Sequence, residues 1–412
     1  MATHGARHTR RRISVAIGAA VALAGGATLL TLPAGAGTPE EGTVLGAGAE
    51  GAVKGSYIVV LKDSVAANGV KATAEAKSLT DEYGGKVGHT YHAALKGYAA
   101  DGLSARDARR LAADDKVAKV IQNRVVRGQG TQSNPPSWGQ DRVDQASDKL
   151  DNKYTYPATA GAGVTAYVID SGVRVSHKDF GGRAVNGYDV VDGDKTAQDG
   201  ANHGTHVSGT IAGARYGIAK KAKIVAVRIL GNDNRGTSAD AIAGIDWVIK
   251  DHKAKGGPAV ANLSIGGYHD PALDTAVKRA VAANITCVVS AGNDGGDASS
   301  ASPGRVSQAI TVAASDLSDR QADFSNYGKV VDLYAPGVDI VSAGNGSNTA
   351  ERTMWGTSMA APHVTGAAAL YLSTHKTATP AQVAKALTDG ATKGVITERG
   401  AGTPNRLLRV PK

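Results

Sequence analysis

Residues 164–170 read VTAYVID, six uncharged residues closed by an aspartate. Apolar side chains occupy both odd and even positions, so the run suits a strand buried on both faces rather than one with a wet side. Four more runs share this character: KIVAVRIL (223–230), AVANLSIGG (259–267), TCVVSAGN (286–293) and AITVAAS (309–315). Helix-like segments separate or follow them at 237–256, 270–285, 357–375 and 379–391. Strands alternating with helices predict an α/β fold, a largely parallel, doubly wound sheet with helices on both faces. Ligands bind such sheets at the carboxyl ends of the strands, and Asp170 stands at one of those ends.

Upstream the organisation changes. SYIVVLKD, a helical stretch from 64, two strand-like pieces, the charged helical stretch SARDARRLAADD and a last strand give β-α-β-β-α-β over 56–127. That order predicts a small ferredoxin-like α+β domain. Its charged helix reads as a solvated face. Residues 37–55, rich in Gly, Ala and Glu without periodicity, read as a linker, and so do residues 128–139, where two prolines discourage regular structure. The main domain is expected over 140–412.

Residues 1–36 combine a basic start, an apolar run over 13–32 and the small residues AGA at 34–36. This is the three-part form of an export signal. A membrane anchor is the alternative, but glycine content, terminal position and the small-residue exit favour cleavage. RRRIS (10–14) bears a faint likeness to a twin-arginine signal, although the general secretory route is preferred. The mature protein is therefore expected outside the cell. A single cysteine, Cys287, allows no intrachain disulfide and lies in an apolar run, so it reads as an inert buried thiol.

The formal charge of +9 divides into +4 over 1–36, +2 over 37–130 and +3 over 131–412, so the body is nearly balanced. With no basic stripe and only two Phe and three Trp for base stacking, nucleic acid is excluded as a partner. A hydrophobic content of 42% suffices for a sizeable core.

Three polar clusters fall where the sheet would place a site. VIDSG carries Asp170, DGANHGTHVSGTIAG carries His203 at a helix start, and WGTSMAAPH carries Ser358 at another. Taken singly, Asp170 would be a turn former and Ser358 a helix N-cap. Taken together they supply a nucleophile, its base and an orienting carboxylate, the set a weakly nucleophilic hydroxyl requires. The chain order Asp, His, Ser differs from the Ser, Asp, His order of α/β-hydrolases, and no G-x-S-x-G is present.

On DSG, HGTHVSGT, NLSIGG, AGND and GTSMAAPH, in that order, the chain resembles the subtilisin-like serine proteases, nearest to the proteinase K branch. Residues 56–127 resemble the inhibitory propeptide of that family. The resemblance implies a secreted endopeptidase made as a zymogen, cut by itself near Gly130 and Thr131, with the propeptide as inhibitor and folding template. It implies Ser358 as nucleophile, His203 as base, Asp170 as its orienter and Asn293 as oxyanion donor, leaving His206 a structural role. Ser264, Ile265 and Gly266 would form one wall of the first specificity pocket, and Ser290, Ala291 and Gly292 the other. Their small, uncharged walls imply an apolar or aromatic residue before the cut. Asp332, with backbone carbonyls of Ser307 and Ala309, matches a structural calcium site, although Ser307 stands where a proline is usual. No catalytic cofactor is implied, and the expected partners are peptide substrates and the propeptide, with a monomeric enzyme and no membrane attachment after signal removal. An inactive peptide-binding homologue and a narrow-specificity processing protease are the rival readings. Trp355 departs from the small polar residue usual there; it either packs on a neighbouring loop or narrows the leaving-group side.

Overall fold

The computed structural model describes residues 40–49, 51–65, 69–125 and 128–411. The expected export signal, residues 1–36, lies outside them. Among the described residues, no helix is long and apolar enough to cross a membrane. The chain divides into two compact units, 1–125 and 126–412.

The first unit contains β1 (Val44–Leu45), β2 (Ala52–Leu61), α1 (Gly69–Tyr83), β3 (Lys86–Tyr91), β4 (Gly97–Asp101), α2 (Ala105–Ala112) and β5 (Val117–Arg124). The sheet order β1-β5-β2-β4-β3 is the expected ferredoxin-like arrangement with one added edge strand. Tyr57, Val59, Leu61, Leu79, Tyr98, Leu111 and Val120 make its core. The supposed linker 37–55 is a correction: Val44 and Leu45 pair in parallel with Val120 and Ile121, and β2 already begins at Ala52. Two apolar residues suffice for a short edge strand when the neighbouring strand supplies the ladder, a contribution that periodicity cannot register.

The second unit opens with β6 (Gln129–Ser133), α3 (Trp138–Val143) and β7 (Lys153–Pro157). Here too a supposed linker, 128–139, is ordered. β6 pairs antiparallel with β7 from Gln129↔Pro157 to Ser133↔Lys153, and Pro135 and Pro136 only end it. Next come β8 (Thr165–Asp170), β9 (Ala184–Asp189), α4 (His203–Ala212), β10 (Lys223–Arg228), α5 (Ser238–Lys255), β11 (Ala259–Leu263), β12 (Gly267–Tyr268) and α6 (Pro271–Ala282). The remainder is β13 (Thr286–Ser290), β14 (Ala301–Ser302), β15 (Ile310–Ser315), β16 (Leu333–Pro336), β17 (Ile340–Ala343), β18 (Glu351–Met354), α7 (Thr357–Thr374), α8 (Pro380–Gly390), β19 (Thr392–Lys393) and β20 (Arg406–Leu407).

The main sheet runs β19-β20-β16-β15-β13-β11-β8-β10-β9, parallel throughout except between β19 and β20. β8 shows why its sequence is continuously apolar. Ala166 and Val168 enter one core with residues of α4, α7 and α8, while Tyr167 and Ile169 enter a second core with α5 and α6. Helix starts are written locally: Thr237 and Thr379 form capping boxes with Asp240 and Gln382, three residues on. α7 is buried almost all round, as its alanine-rich sequence requires of a helix enclosed by other elements.

Candidate active site

The chain leaves β8 toward β9 and β10 on one side, then returns to place β11 on the other. The strand order therefore reverses beside β8, opening a crevice at its carboxyl end. Asp170 ends β8, Ser264 follows β11 and Ser290 ends β13, so three neighbouring strands deliver polar residues to one rim.

Asp170 is fully buried, and its Oδ1 lies 2.7 Å from Nδ1 of His203 while also accepting the Ser171 N–H at 2.6 Å. His203 reaches it because the first turn of α4 approaches β8 closely. A Cβ at Gly204 would fall 2.1 Å from the Gly172 carbonyl oxygen and 3.2 Å from Asp170 Cβ, so only glycine allows the approach. A second carboxylate organises the same turn. Asp199 Oδ1 accepts from Ser171 Oγ and from the N–H groups of Ala201 and Asn202, each at 2.9 Å, and its Oδ2 accepts from Thr205 N–H at 2.9 Å. Ser171 Oγ in turn accepts the Gly204 N–H at 2.9 Å. Burial disfavours the charged imidazole of His203, yet the carboxylates of Asp170 and Asp199 outweigh it and raise its pKa above the ordinary histidine value. His206 differs. Its Nε2 donates to the Ile340 carbonyl at 2.9 Å, and burial lowers its pKa to about 4, so it is a neutral packing residue.

Ser358 stands at the start of α7, behind Gly356, whose φ of 139° only glycine tolerates. Pro362 lies four residues on and has no N–H to give the Ser358 carbonyl, which would leave that oxygen without its helical partner. Ser264 Oγ fills the gap, donating to Ser358 O at 2.8 Å. It also accepts from Asn262 Nδ2 at 2.8 Å, and Asn262 Oδ1 accepts from Thr365 Oγ1 at 2.7 Å. This chain ties β11 to α7 and fixes the serine's backbone. The Ser358 hydroxyl itself donates to the Ser264 carbonyl at 3.2 Å.

Asn293 is oriented by Thr357, whose N–H and Oγ1 donate to its Oδ1 at 2.8 and 2.9 Å. A backbone N–H can only donate, so the amide oxygen is committed and the NH2 group is left as the donor of a residue that lines the cleft. That cleft, about 590 Å³, is lined by Ser358 and by Gly266, Ser290, Ala291 and Gly292 among others. Ser264 and Ile265, expected in its wall, are not among the lining residues. The Ser264 hydroxyl is occupied at the back of Ser358, and Ile265 packs into the second core while its carbonyl accepts from Ser290 Oγ at 3.0 Å. Tyr268, 98% exposed, also lines the cleft, a position that nothing in its sequence surroundings signals. Asp199 and Asn262 were also missed; of these, only Asp199 carried a signal, an aspartate before Gly200 and four residues ahead of the histidine.

Burial pushes the carboxyl of Asp332 up to about 6, and its Oδ2 accepts from Thr311 N–H at 2.8 Å. Thr311 lies just beyond the turn carrying Ser307 and Ala309. A single partly buried carboxylate is fewer oxygen ligands than such a cation needs, so backbone carbonyls or water would have to supply the others. Among the described residues no three His, Cys, Asp or Glu side chains converge as a metal cluster. Cys287 is buried, and its thiol is pushed up to about 12.

The subtilase family model matches residues 161–408, and the peptidase inhibitor I9 model matches residues 56–129. An extracellular serine proteinase of Thermus sp. (strain Rt41A) is 45% identical over 392 residues, covering 91% of this chain and 94% of its own. The subtilisin-like serine protease Pen ch 13 of Penicillium rubens is 39% identical, covering 86% of this chain and 90% of its own. The crystal structure of a cold adapted subtilisin-like serine proteinase superposes with a TM-score of 0.65 at 45% identity, over 68% of this chain and 100% of that one. The chain belongs to the subtilase family, as a subtilisin-like serine proteinase preceded by an I9 propeptide.

Proposed function

We propose that the chain is a secreted endopeptidase of broad specificity, produced as a zymogen that removes its own propeptide, with Ser358, His203, Asp170 and Asn293 as its catalytic set. The observation that carries this reading is the 2.7 Å contact between Asp170 Oδ1 and His203 Nδ1 beside the reversal of strand order. Because Asp170 holds Nδ1–H, Nε2 of the neutral ring is the free base. Ser358 Oγ turns from the Ser264 carbonyl to Nε2, gives up its proton and attacks the scissile carbonyl. The imidazolium that forms is favoured by Asp170 and Asp199. The new oxyanion accepts from the Asn293 amide and from the Ser358 N–H, which the start of α7 leaves without a helical acceptor. His203 then protonates the departing amine, and water attacking through the same base releases the acyl group.

The small residues of the cleft suit an apolar or aromatic side chain before the cut. Asp332, with the carbonyls of Ser307 and Ala309, is proposed to hold a calcium ion whose role is to fix that turn. Export is supported by the N-terminal segment and by the Thermus relative, which is named as extracellular.

Expression of the full chain and of Ser358→Ala in a protease-free translation system tests the proposal. The expected result is a mature chain beginning near residue 131 that cuts a peptide library at many sites, and an uncut precursor from the variant. A processed Ser358→Ala chain would overturn self-processing, and a mature wild type that leaves the library intact would overturn the endopeptidase.

A further inference from the structure

Trp355 is 62% exposed, three residues before Ser358, in a chain whose other two tryptophans are largely covered. One side of its ring packs on Phe324, with centroids 5.0 Å apart and planes inclined by 44°. Packing therefore explains part of the residue, and most of its surface still meets water. Tryptophan is enriched among the residues that anchor binding, and this one keeps an exposed face beside the site.

The pair is held firmly next to the oxyanion side of the site. β18 is clamped to β17 from Ile340↔Met354 to Ala343↔Glu351, and Gly356 N–H donates to the Gly337 carbonyl at 2.8 Å, which fixes Trp355 from both sides. The Phe324 carbonyl accepts from Gly295 N–H at 2.9 Å, and Asn326 Oδ1 accepts from Asp294 and Gly296 at 3.0 Å each. The loop bearing Phe324 is thus tied to the loop bearing Asn293. A Cβ at Gly356 would lie 3.6 Å from Asn293 Nδ2, so the residue next to Trp355 borders the oxyanion donor. Neither Trp355 nor Phe324 lines the cleft that would receive the residue before the cut. The chain after the cut must leave away from that cleft.

We propose that Trp355, backed by Phe324, is a specificity-determining residue for the leaving segment, its exposed face receiving an aromatic or large apolar side chain from one of the first two residues after the scissile bond. This rests on Ser358 being the nucleophile. The aromatic contact predicts a selectivity of about 3- to 10-fold in kcat/KM for Phe over Gly at those positions.

Two substrate series with one common acyl half test it in the self-processed full-chain product. The first comprises internally quenched peptides carrying Phe, Leu or Gly after the bond. The second is a peptide methyl ester, whose methanol leaving group is too small to reach the ring. In Trp355→Ser the Phe-to-Gly ratio is expected to fall to within about twofold of unity, with ester hydrolysis within about twofold of wild type; Trp355→Phe should keep most of the selectivity. A wild type without selectivity, or a Trp355→Ser enzyme that retains it, would overturn the proposal while leaving the protease reading intact. A wild type that fails on the ester would instead remove the protease reading and this proposal with it.

Discussion

Replacing Ser264 with alanine should loosen the serine's anchorage in a way that a second substitution partly reverses. The Ser264 hydroxyl serves two groups, the Ser358 carbonyl and Asn262 Nδ2, both at 2.8 Å. Asn262 is fully buried, so its orphaned amide falls in the range of about 1–3 kcal/mol for an unsatisfied polar group, and the half-buried carbonyl adds about 1. Ser264→Ala is thus expected to destabilise the second unit by about 2–4 kcal/mol. Pro362→Ala restores an N–H that can reach the Ser358 carbonyl, so the double variant should recover about 1 kcal/mol, a coupling that distant, independent sites do not show. The assay is urea unfolding of the four full-length chains in a Ser358→Ala background, which removes autolysis and leaves the backbone carbonyl in place. Additive effects within about 0.3 kcal/mol would mean that the serine hydroxyl does not stand in for the hydrogen bond the proline cannot make.

Three further outcomes follow from the same geometry. Asp199→Asn removes a negative charge that helps raise the His203 pKa; activity requires the neutral ring, so the acid limb of kcat/KM should move to lower pH, and an unmoved limb would contradict the role given to Asp199. Arg142, fully buried, donates from Nε and Nη2 to the two oxygens of Asp319 at 2.8 and 2.7 Å, so Arg142→Ala should lower stability by about 3–5 kcal/mol, whereas a loss under about 1 kcal/mol would mean that the pair is solvated. Saturating calcium should raise the melting temperature of the wild type and not that of Asp332→Asn; equal shifts would place any ion elsewhere.

The sequence was most readable where one residue's chemistry and one element's burial coincide. β8, β11, β13 and β15 announce themselves because both faces are covered, and Asp170, His203 and Ser358 because each sits at the end of such a strand or the start of a helix. β1 and β6 could not be read, since edge strands in glycine-containing segments owe their order to the neighbour's ladder rather than to their own pattern. Of Ser264, Ile265 and Gly266, expected together in one wall, only the glycine lines the cleft. The serine hydroxyl turns inward because a proline four residues after Ser358 creates a need on another element. Asp199 and Asn262 each join local partners to a distant one, Ser171 and Thr365, and only the fold supplies that second contact. Trp355 was ambiguous because an indole can pack and remain exposed at once, and here it does both.

Everything proposed for this site depends on Ser358 acting as a nucleophile activated by His203. Treating the mature enzyme with a serine-directed phosphonate and mapping the adduct by mass spectrometry tests it most directly. One adduct per chain, on the peptide containing Ser358 and lost in His203→Ala, is the result predicted. No adduct, or an equal yield of adduct in His203→Ala, would contradict it.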